Sequence, residues 1–301
     1  MFDNYDLDGA KAKLIQWSDS RTSAEYSKPN VSRALEDSFR METMQGGVPD
    51  AWRLVTDLES PEEIVFKIQG VLSFIELPPF TKHPGKRTRA GFLRQGIAIT
   101  GLGTESFEKS LDGIKVADHV LKRSVPQQAA EPLGCFSDLN GYTTFHVSNR
   151  YFLPRRLVEG EESVDFPDNV DPYGILRKIA GSEFVHTKEN VVKYERIKRV
   201  SAEDITFEAV SPTIFRSGDI VEAQFTLMVV PIGKGGRPPY KTFPVLRTIT
   251  MLDDTYSKKA AVDKILAPKV KMTLKRDAGN WRETEELTSK QLRKMRLDDS
   301  K

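Results

Sequence analysis

The clearest alternation of apolar and polar positions in this chain lies in residues 215–230, FRSGDIVEAQFTLMVV. Such alternation predicts a strand with one buried face and one partly solvated face. The apolar row is Val221, Ala223, Phe225, Leu227 and Val229, and the polar row is Glu222, Gln224 and Thr226. Glu222 would repel phosphate, so it argues against nucleic acid on the polar face.

A second pattern has the period of a helix and covers residues 104–123. Its apolar positions fall on one helical face, and Thr104 stands where an N-cap is expected: Phe107, Leu111, Ile114, Ala117, Val120 and Leu121. The spacing predicts an amphipathic helix whose apolar side packs on a core.

Strand patterns account for most of the remaining regular sequence. Residues 61–80 predict one long bent strand or two, residues 96–100 a strand, and residues 139–154 strand material introduced by an Asn-Gly turn. Five further strand patterns follow between residues 183 and 253, spaced as in an antiparallel sheet. We therefore predict an α+β fold that is mainly antiparallel β, with a C-terminal small β-barrel or sheet module and one or more N-terminal helices.

Composition divides the chain into four predicted regions. Residues 156–173 are rich in acidic residues, proline and glycine and predict a linker. We expect a mixed α/β N-terminal region over 1–155, an antiparallel β module over 174–254 and a basic tail over 255–301, partly helical or disordered. The tail holds thirteen Lys and Arg against seven Asp and Glu.

Several function classes are disfavoured by what the sequence lacks. No apolar run approaches the roughly 20 residues that cross a bilayer, and the acidic start does not resemble a secretory signal, so we expect no membrane partner and a cytoplasmic or nuclear location. Cys135 is the single cysteine and the four histidines are scattered, so we expect no disulfide, metal or other cofactor. No nucleophile or acid–base motif stands out, and we expect a non-catalytic protein.

One glycine turn leaves an enzyme open as a third hypothesis. In TGLGTES, residues 100–106, the backbone amides near Gly101, Gly103 and Thr104 lie between a predicted strand and a predicted helix, where a phosphate can bind. The third glycine of the dinucleotide fingerprint is replaced by Ser106, which favours the alternative of a tight connecting turn.

Nucleic-acid binding by the C-terminal module is the leading hypothesis. Exposed aromatic side chains and basic loops on a small β module are the arrangement used by proteins that bind single strands. Candidate stacking residues are Tyr194, Phe225, Tyr240 and Phe243; candidate phosphate contacts are Lys193, Arg196, Lys198, Arg199, Lys234, Arg237, Lys241 and Arg247. Residues 81–94 form a further basic loop without an acidic residue.

Two alternatives to nucleic-acid binding remain open. The basic residues also fit an ordinary solvated β face, and the net charge of +2 gives no global field that demands an anionic partner. A protein-interaction or scaffold protein, with another chain bound at exposed strand edges, is the second hypothesis.

The C-terminal block also resembles a known set of sequences. EFVHTKENVVKYERI, FRSGDIVEAQFTLMVVPI and VLRTITMLD, between residues 170 and 254, resemble a pattern shared by a large set of uncharacterised fungal proteins, mainly from basidiomycetes. The resemblance implies a recurring module and a fungal source, and it implies no activity and no catalytic residue.

Overall fold

A computed structural model describes most of the chain. The described residues are 4–22, 29–34, 41–47, 50–82, 89–126, 130–158, 160–199, 205–233, 238–266 and 286–290. Residues up to Ile265 form one compact unit, and residues from Leu266 onward form a second, in which 286–290 are helical.

The fold is α+β with a large, mostly antiparallel sheet, as predicted. The helices are α1 (Leu7–Thr22), α2 (Glu105–Lys122), α3 (Ile175–Ala180) and α4 (Thr255–Leu266). The strands are β1 (Glu42–Gly46), β2 (Ala51–Val55), β3 (Phe66–Glu76), β4 (Arg94–Thr100), β5 (Phe136–Leu139), β6 (Tyr142–Arg150), β7 (Leu153–Pro154), β8 (Phe184–Val185), β9 (Lys193–Arg199), β10 (Ile205–Ala209), β11 (Ile220–Pro231) and β12 (Tyr240–Asp253).

Ten strands share the main sheet, in the order β1-β2-β11-β3-β4-β6-β12-β9-β10, with β5 added beside β6. Because β11 also pairs with β12, the strands β3, β4, β6, β12 and β11 form a closed ring of pairings. The ring closes unevenly: β6 and β12 run parallel and share one bridge, between Ser148 and Val245, whereas β11 and β12 pair along twelve positions. We call the weak junction between β6 and β12 the seam.

The predicted apolar row of β11 faces the inside of this ring. Val221, Ala223, Phe225, Leu227 and Val229 are all at most 1% exposed and belong to the main core. The predicted face of α2 joins the same core, and α2 ends within one residue of its predicted bounds. The apolar pattern thus positioned both elements correctly, since burying these rows is the main favourable contribution to folding.

The start of the polar row of β11 is covered by α1. Ala10, Leu14 and Trp17 of α1 pack into a second cluster with Ile220 and Leu252. Glu222 is fully buried and pairs with Arg21 at the C-terminal end of α1. The expectation that Glu222 faces solvent or a ligand was wrong, because an N-terminal helix covers that face.

The Asn-Gly turn was predicted correctly. Asn140 and Gly141 have φ of 54° and 84° and join β5 to β6, as the two central residues of a type I′ hairpin turn do. The Asn30 side chain accepts a hydrogen bond from the Ser32 amide and caps a short 3₁₀ helix over Val31–Arg33.

The segment predicted as a linker, 156–173, lies within the first compact unit. Strands from both sides of it hydrogen-bond in one sheet, since β11 pairs with β3 and β12 with β6. Of the predicted tail, residues 255–266 form α4, and most of the remainder lies outside the described residues. No helix in the described part of the chain is long and apolar enough to cross a membrane.

Candidate functional site

The outer face of the ring holds a groove at the seam. Two adjoining clefts form it, with volumes of about 360 and 330 Å³, and both are lined by Arg94, Ser148 and Phe243. The first cleft extends toward Arg53, Arg150, Glu189 and Arg247. The second extends toward Phe74, His146 and Lys241. We call the two clefts together the groove.

Adjacent strands place two arginines side by side in the groove. Arg94 opens β4 and Arg150 ends β6, and they are register partners across the antiparallel pair. Neither lies within 4.0 Å of a carboxylate oxygen in the described part of the chain. Burial, and then the neighbouring Arg150, lower the pKa of the Arg94 guanidinium; burial also lowers the pKa of Arg150. Two partly desolvated like charges without a counter-ion favour binding of an anion.

An aromatic ring lies beside these charges. The guanidinium carbon of Arg94 is 5.7 Å from the centre of the Phe243 ring, and Nζ of Lys241 is 5.8 Å from the same centre. Both distances fall in the range of cation–π contacts. The half-buried ring of Phe243 is therefore an apolar surface with two cations beside it, and a phosphate can contact these cations.

The second cleft continues across a row of the sheet. Phe74 on β3 is the register partner of Ala98 on β4, which is the partner of His146 on β6. Phe74 is 54% exposed although it is a large apolar residue, whereas Ala98 between the two is 1% exposed and is not among the cleft residues. His146 is held by Ser137, whose Oγ lies 2.6 Å from Nε2, and burial lowers the pKa of this imidazole.

Four charged side chains form an ion-pair network at the first cleft, and three of them line it. Arg53 Nη1 donates to Glu63 Oε1 at 2.8 Å, and Arg247 Nη2 lies 3.1 Å from Glu63 Oε2 and 3.0 Å from Glu189 Oε2. We call Arg53, Glu63, Glu189 and Arg247 the ion-pair square. Its charges balance, and the other charged residues that line the first cleft are Arg94, Arg150 and the exposed Asp50, with a net charge of +1.

The structure brings only some of the sequence-predicted residues to the groove. Lys241, Arg247 and Phe243 line it, and the half-buried Tyr240 opens β12 next to Lys241. Lys234 and Arg237, in the loop between β11 and β12, lie outside the described residues, as does the side chain of Arg199.

Two of the predicted stacking residues are unavailable for stacking. Tyr194 is 5% exposed and its hydroxyl donates to Gln95, and Phe225 is fully buried in the core. The prediction for Tyr194 was therefore wrong, because the face of β9 that carries it packs against the inside of the fold.

The predicted β9 residues are not among those that line the groove. Lys193 is the partner of Thr248, which follows the cleft residue Arg247, whereas Arg196 is the partner of Met251, about 30 Å from Lys241 at the rise of a strand. Arg196 is neutralised by Asp254 at 2.8 Å, and Lys198 is exposed further along β9. Arg196 and Lys198 therefore do not form one continuous basic surface with Lys241.

The glycine turn is a packed connection. A Cβ on Gly101 would lie 2.1 Å from Cβ of Phe107, so this glycine is required by the close approach of α2 to the end of β4. Gly103 has φ of 72°, and the buried Thr104 donates its amide to the carbonyl oxygen of Gly101 at 3.0 Å. Glu105 and Glu108 in the first helical turn would repel phosphate, so the structure favours the tight-turn alternative.

His186 and Cys135 are both buried. His186 is buried, stacks on Phe166 and donates from Nδ1 to the Tyr151 carbonyl at 2.8 Å, and burial lowers its pKa. Burial raises the pKa of the Cys135 thiol to about 12, far from a reactive thiolate. His83 lies outside the described residues, which hold no cluster of three or more side chains suited to a metal.

Sequence reasoning missed the role of Arg94, Arg150 and Phe74. Arg94 was visible as the last cation of an acid-free basic loop, but nothing in the sequence shows that Arg150 is its register partner. Phe74 lies in a continuous apolar run, and only the exposure of its ring distinguishes it from a core residue.

Comparison with known proteins adds little to this geometry. No family model matches the chain, and no curated protein is similar to it in sequence. One solved structure, that of gp2.5, a single-stranded DNA binding protein encoded by bacteriophage T7, aligns over 63% of this chain and 91% of its own. The identity is 12% and the TM-score 0.31, too low to support an argument about function.

Proposed function

We propose that this protein binds nucleic acid, with a preference for single strands, in the groove at the seam between β6 and β12. One observation carries the proposal: Arg94 and Arg150 lie side by side, partly desolvated and without a carboxylate partner in the described part of the chain, in the wall of an elongated groove. A run of phosphates along a strand supplies the missing anions.

Aromatic residues favour single strands over duplex. Phe243 and the exposed Phe74 both line the second cleft, and unpaired bases can stack on such rings, whereas the bases of a duplex are already stacked. Lys241 and Arg94 near Phe243 would hold the phosphates that flank a stacked base. The predicted partner is thus retained, and its proposed site moves from the face of β9 to the groove.

The strand ring supports the same proposal by analogy. OB folds are five-stranded, partly open Greek-key barrels that bind oligonucleotides on the face of their second and third strands and with the loops after the first and fourth. In the ring β3, β4, β6, β11, β12 these are β4 and β6, and the corresponding connections run from β3 to β4 and from β11 to β12. This support rests on fold analogy, and the arginine pair remains the direct argument.

Fluorescence anisotropy with labelled single-stranded DNA, single-stranded RNA and duplex DNA, each over a range of salt, tests the proposal. We expect single strands to bind more tightly than duplex, and Arg94→Gln and Arg150→Gln each to reduce the salt slope by about 0.7. The matched control is Arg196→Gln, which removes the same charge at the far end of β12 and should leave binding unchanged. No binding by the wild-type chain at micromolar protein, or an equal loss in all three variants, would refute the groove.

A protein partner is the second candidate because of the outer edge of the sheet. β10 is the last strand of the sheet order, and its Phe207 is 47% exposed. Unpaired backbone groups at a strand edge can pair with another chain. Phe207→Lys would abolish such pairing without changing nucleic-acid affinity, and the apparent mass of the chain with and without this change distinguishes the two candidates.

A further inference from the structure

We propose that the Glu189 carboxylate occupies a second phosphate subsite, formed by Arg53 and Arg247, and that a phosphate of the bound strand displaces it. This inference rests on the proposed function. The subsite lies in the first cleft, which Arg53, Glu189 and Arg247 line together with Arg94 and Arg150. A nucleic-acid strand that reaches the arginine pair can therefore also reach this position.

The contacts of Glu189 are those that a phosphate would make. Its Oε2 lies 3.0 Å from Arg247 Nη2 and 3.6 Å from Arg53 Nη2, so one carboxylate oxygen serves both guanidinium groups. Planar guanidinium groups bind phosphate and carboxylate with the same donor geometry. The two anions are therefore direct competitors for this position.

The contacts of Arg53 show that the Glu189 carboxylate does not satisfy all of its hydrogen-bond donors. Its side chain is only 9% exposed, and its buried Nη2 makes no hydrogen bond in the described structure. The ion pair with Glu189 at 3.6 Å is longer than the usual range for a charge-assisted hydrogen bond. Since buried donors are almost always satisfied, this nitrogen favours an acceptor that can approach more closely.

Glu189 can leave the square more readily than Glu63 can. The Glu189 side chain is 36% exposed and lines the first cleft, whereas that of Glu63 is 25% exposed and is not among the cleft residues. The Glu189 carbonyl oxygen accepts from Arg247 Nη1 at 3.0 Å and from Asn149 Nδ2 at 2.8 Å. The backbone is thus anchored, and rotation of the side chain alone would open the subsite.

The exchange has a measurable consequence for affinity. Glu63 stays paired with Arg53 and Arg247 and partly neutralises them, whether Glu189 or a phosphate occupies the subsite. Binding of phosphate there replaces one negative group by another. The wild-type site therefore gains less from this phosphate than an open arginine site would. Removing the Glu189 charge should increase both the affinity and the number of phosphate contacts that salt dependence reports.

The test compares Glu189→Gln with Glu62→Gln in the full chain, with a fluorescein-labelled oligodeoxythymidine as the probe. Glu62 is exposed and close to Glu63 in sequence, and its substitution changes the net charge equally. We expect Glu189→Gln to bind about fivefold more tightly at low salt and to steepen the salt slope by about 0.7, and Glu62→Gln to match wild type. Adding Arg247→Gln to Glu189→Gln should remove the gain.

Equal or weaker binding of Glu189→Gln relative to Glu62→Gln, with an unchanged slope, would overturn the subsite. The proposed function fails separately, if the wild-type chain does not bind the oligonucleotide. In that case inorganic phosphate is the probe: it should raise the melting temperature of Glu189→Gln more than those of wild type and Glu62→Gln, and equal shifts would again overturn the subsite.

Discussion

Arg21 and Glu222 lie 201 residues apart in the chain and meet in a buried, two-point ion pair. Arg21 Nε donates to Glu222 Oε2 at 2.8 Å and Nη2 donates to Oε1 at 2.6 Å, while Gln69 also donates to Oε2 at 2.7 Å. This pair fastens α1 to the outer face of β11. It also explains why a glutamate can stand in a strand buried on both faces.

Breaking this pair on one side should destabilise the protein strongly. Arg21→Met leaves the Glu222 carboxylate buried with its main counter-ion gone, and we expect a loss of about 3–5 kcal/mol in the free energy of unfolding. Urea denaturation followed by circular dichroism measures this loss. The double variant Arg21→Met, Glu222→Leu should recover only part of it, because the buried carboxylate is then absent but the buried Lys67 loses the anion that stabilises its charge. A double variant no more stable than Arg21→Met would contradict this account.

Removing the exposed ring of Phe74 should weaken binding of single strands with little effect on stability. The ring is 54% exposed, so Phe74→Ala leaves the core intact, and loss of one stacked base costs about 1–3 kcal/mol of binding free energy. Anisotropy with the labelled oligonucleotide measures the change. Phe207→Ala is the matched control, since Phe207 is similarly exposed on β10, and equal effects of the two substitutions would exclude Phe74 from the site.

Gly101→Ala should disrupt the packing of α2, because its Cβ would lie 2.1 Å from that of Phe107. Overpacking of this kind costs about 1–3 kcal/mol or more, since backbone must move to relieve it. Gly103→Ala is the comparison: nothing lies within 3.6 Å of its added Cβ, and only the φ of 72° opposes it, at about 1 kcal/mol. Thermal unfolding of both variants measures the difference. A larger loss for Gly103→Ala would show that backbone conformation is the dominant requirement of this turn.

Asp219 should make stability fall as pH rises between about 4 and 6. Its pKa is raised from 3.8 to about 6: burial is the main cause and Asp254 adds to it, while hydrogen bonds from Ser257 and the Arg216 amide, and the Arg216 charge, act in the opposite direction. The folded state therefore holds this proton more tightly than the unfolded state does. Below pH 3.8 both states are protonated, and above that pH the unfolded state ionises first, so this contribution is lost as pH approaches 6.

Urea unfolding of wild type and Asp219→Asn over this pH range isolates the effect. The wild-type chain should lose a few kcal/mol that the variant does not lose, because asparagine has no proton to release. Parallel pH profiles for the two proteins would assign the dependence to other groups.

The sequence predicted the helices and strands of this fold better than it predicted which of them pack against each other. The apolar row of β11 and the face of α2 could be read directly, since periodicity reports burial. The same periodicity cannot say which element covers the opposite face, and so Glu222 was expected outside and Tyr194 was expected to be available for stacking. Both errors depend on contacts between distant segments, namely α1 with β11 and β9 with Gln95 on β4.

The candidate site was only partly predictable for the same reason. Lys241, Arg247 and Phe243 were selected as basic or aromatic residues near a basic loop, and they line the groove. Arg94 and Arg150 become a pair only through the register of β4 and β6, and the β9 residues were grouped with Lys241 and Arg247 because the register of β9 on β12 was unknown. Composition therefore suggested the chemistry, while topology determines which charges meet.

The single bridge at the seam has a mechanical consequence. Asn149, 5% exposed, spans this junction by donating to the Leu246 carbonyl at 3.2 Å, where a continuous ladder would otherwise hold β6 to β12. The ring is thus fastened at the seam by few bonds, and widening it there breaks far fewer hydrogen bonds than at any fully paired strand. Under the proposed function, nucleic-acid segments of different width would fit by a local opening of the seam, with the core of the ring left intact.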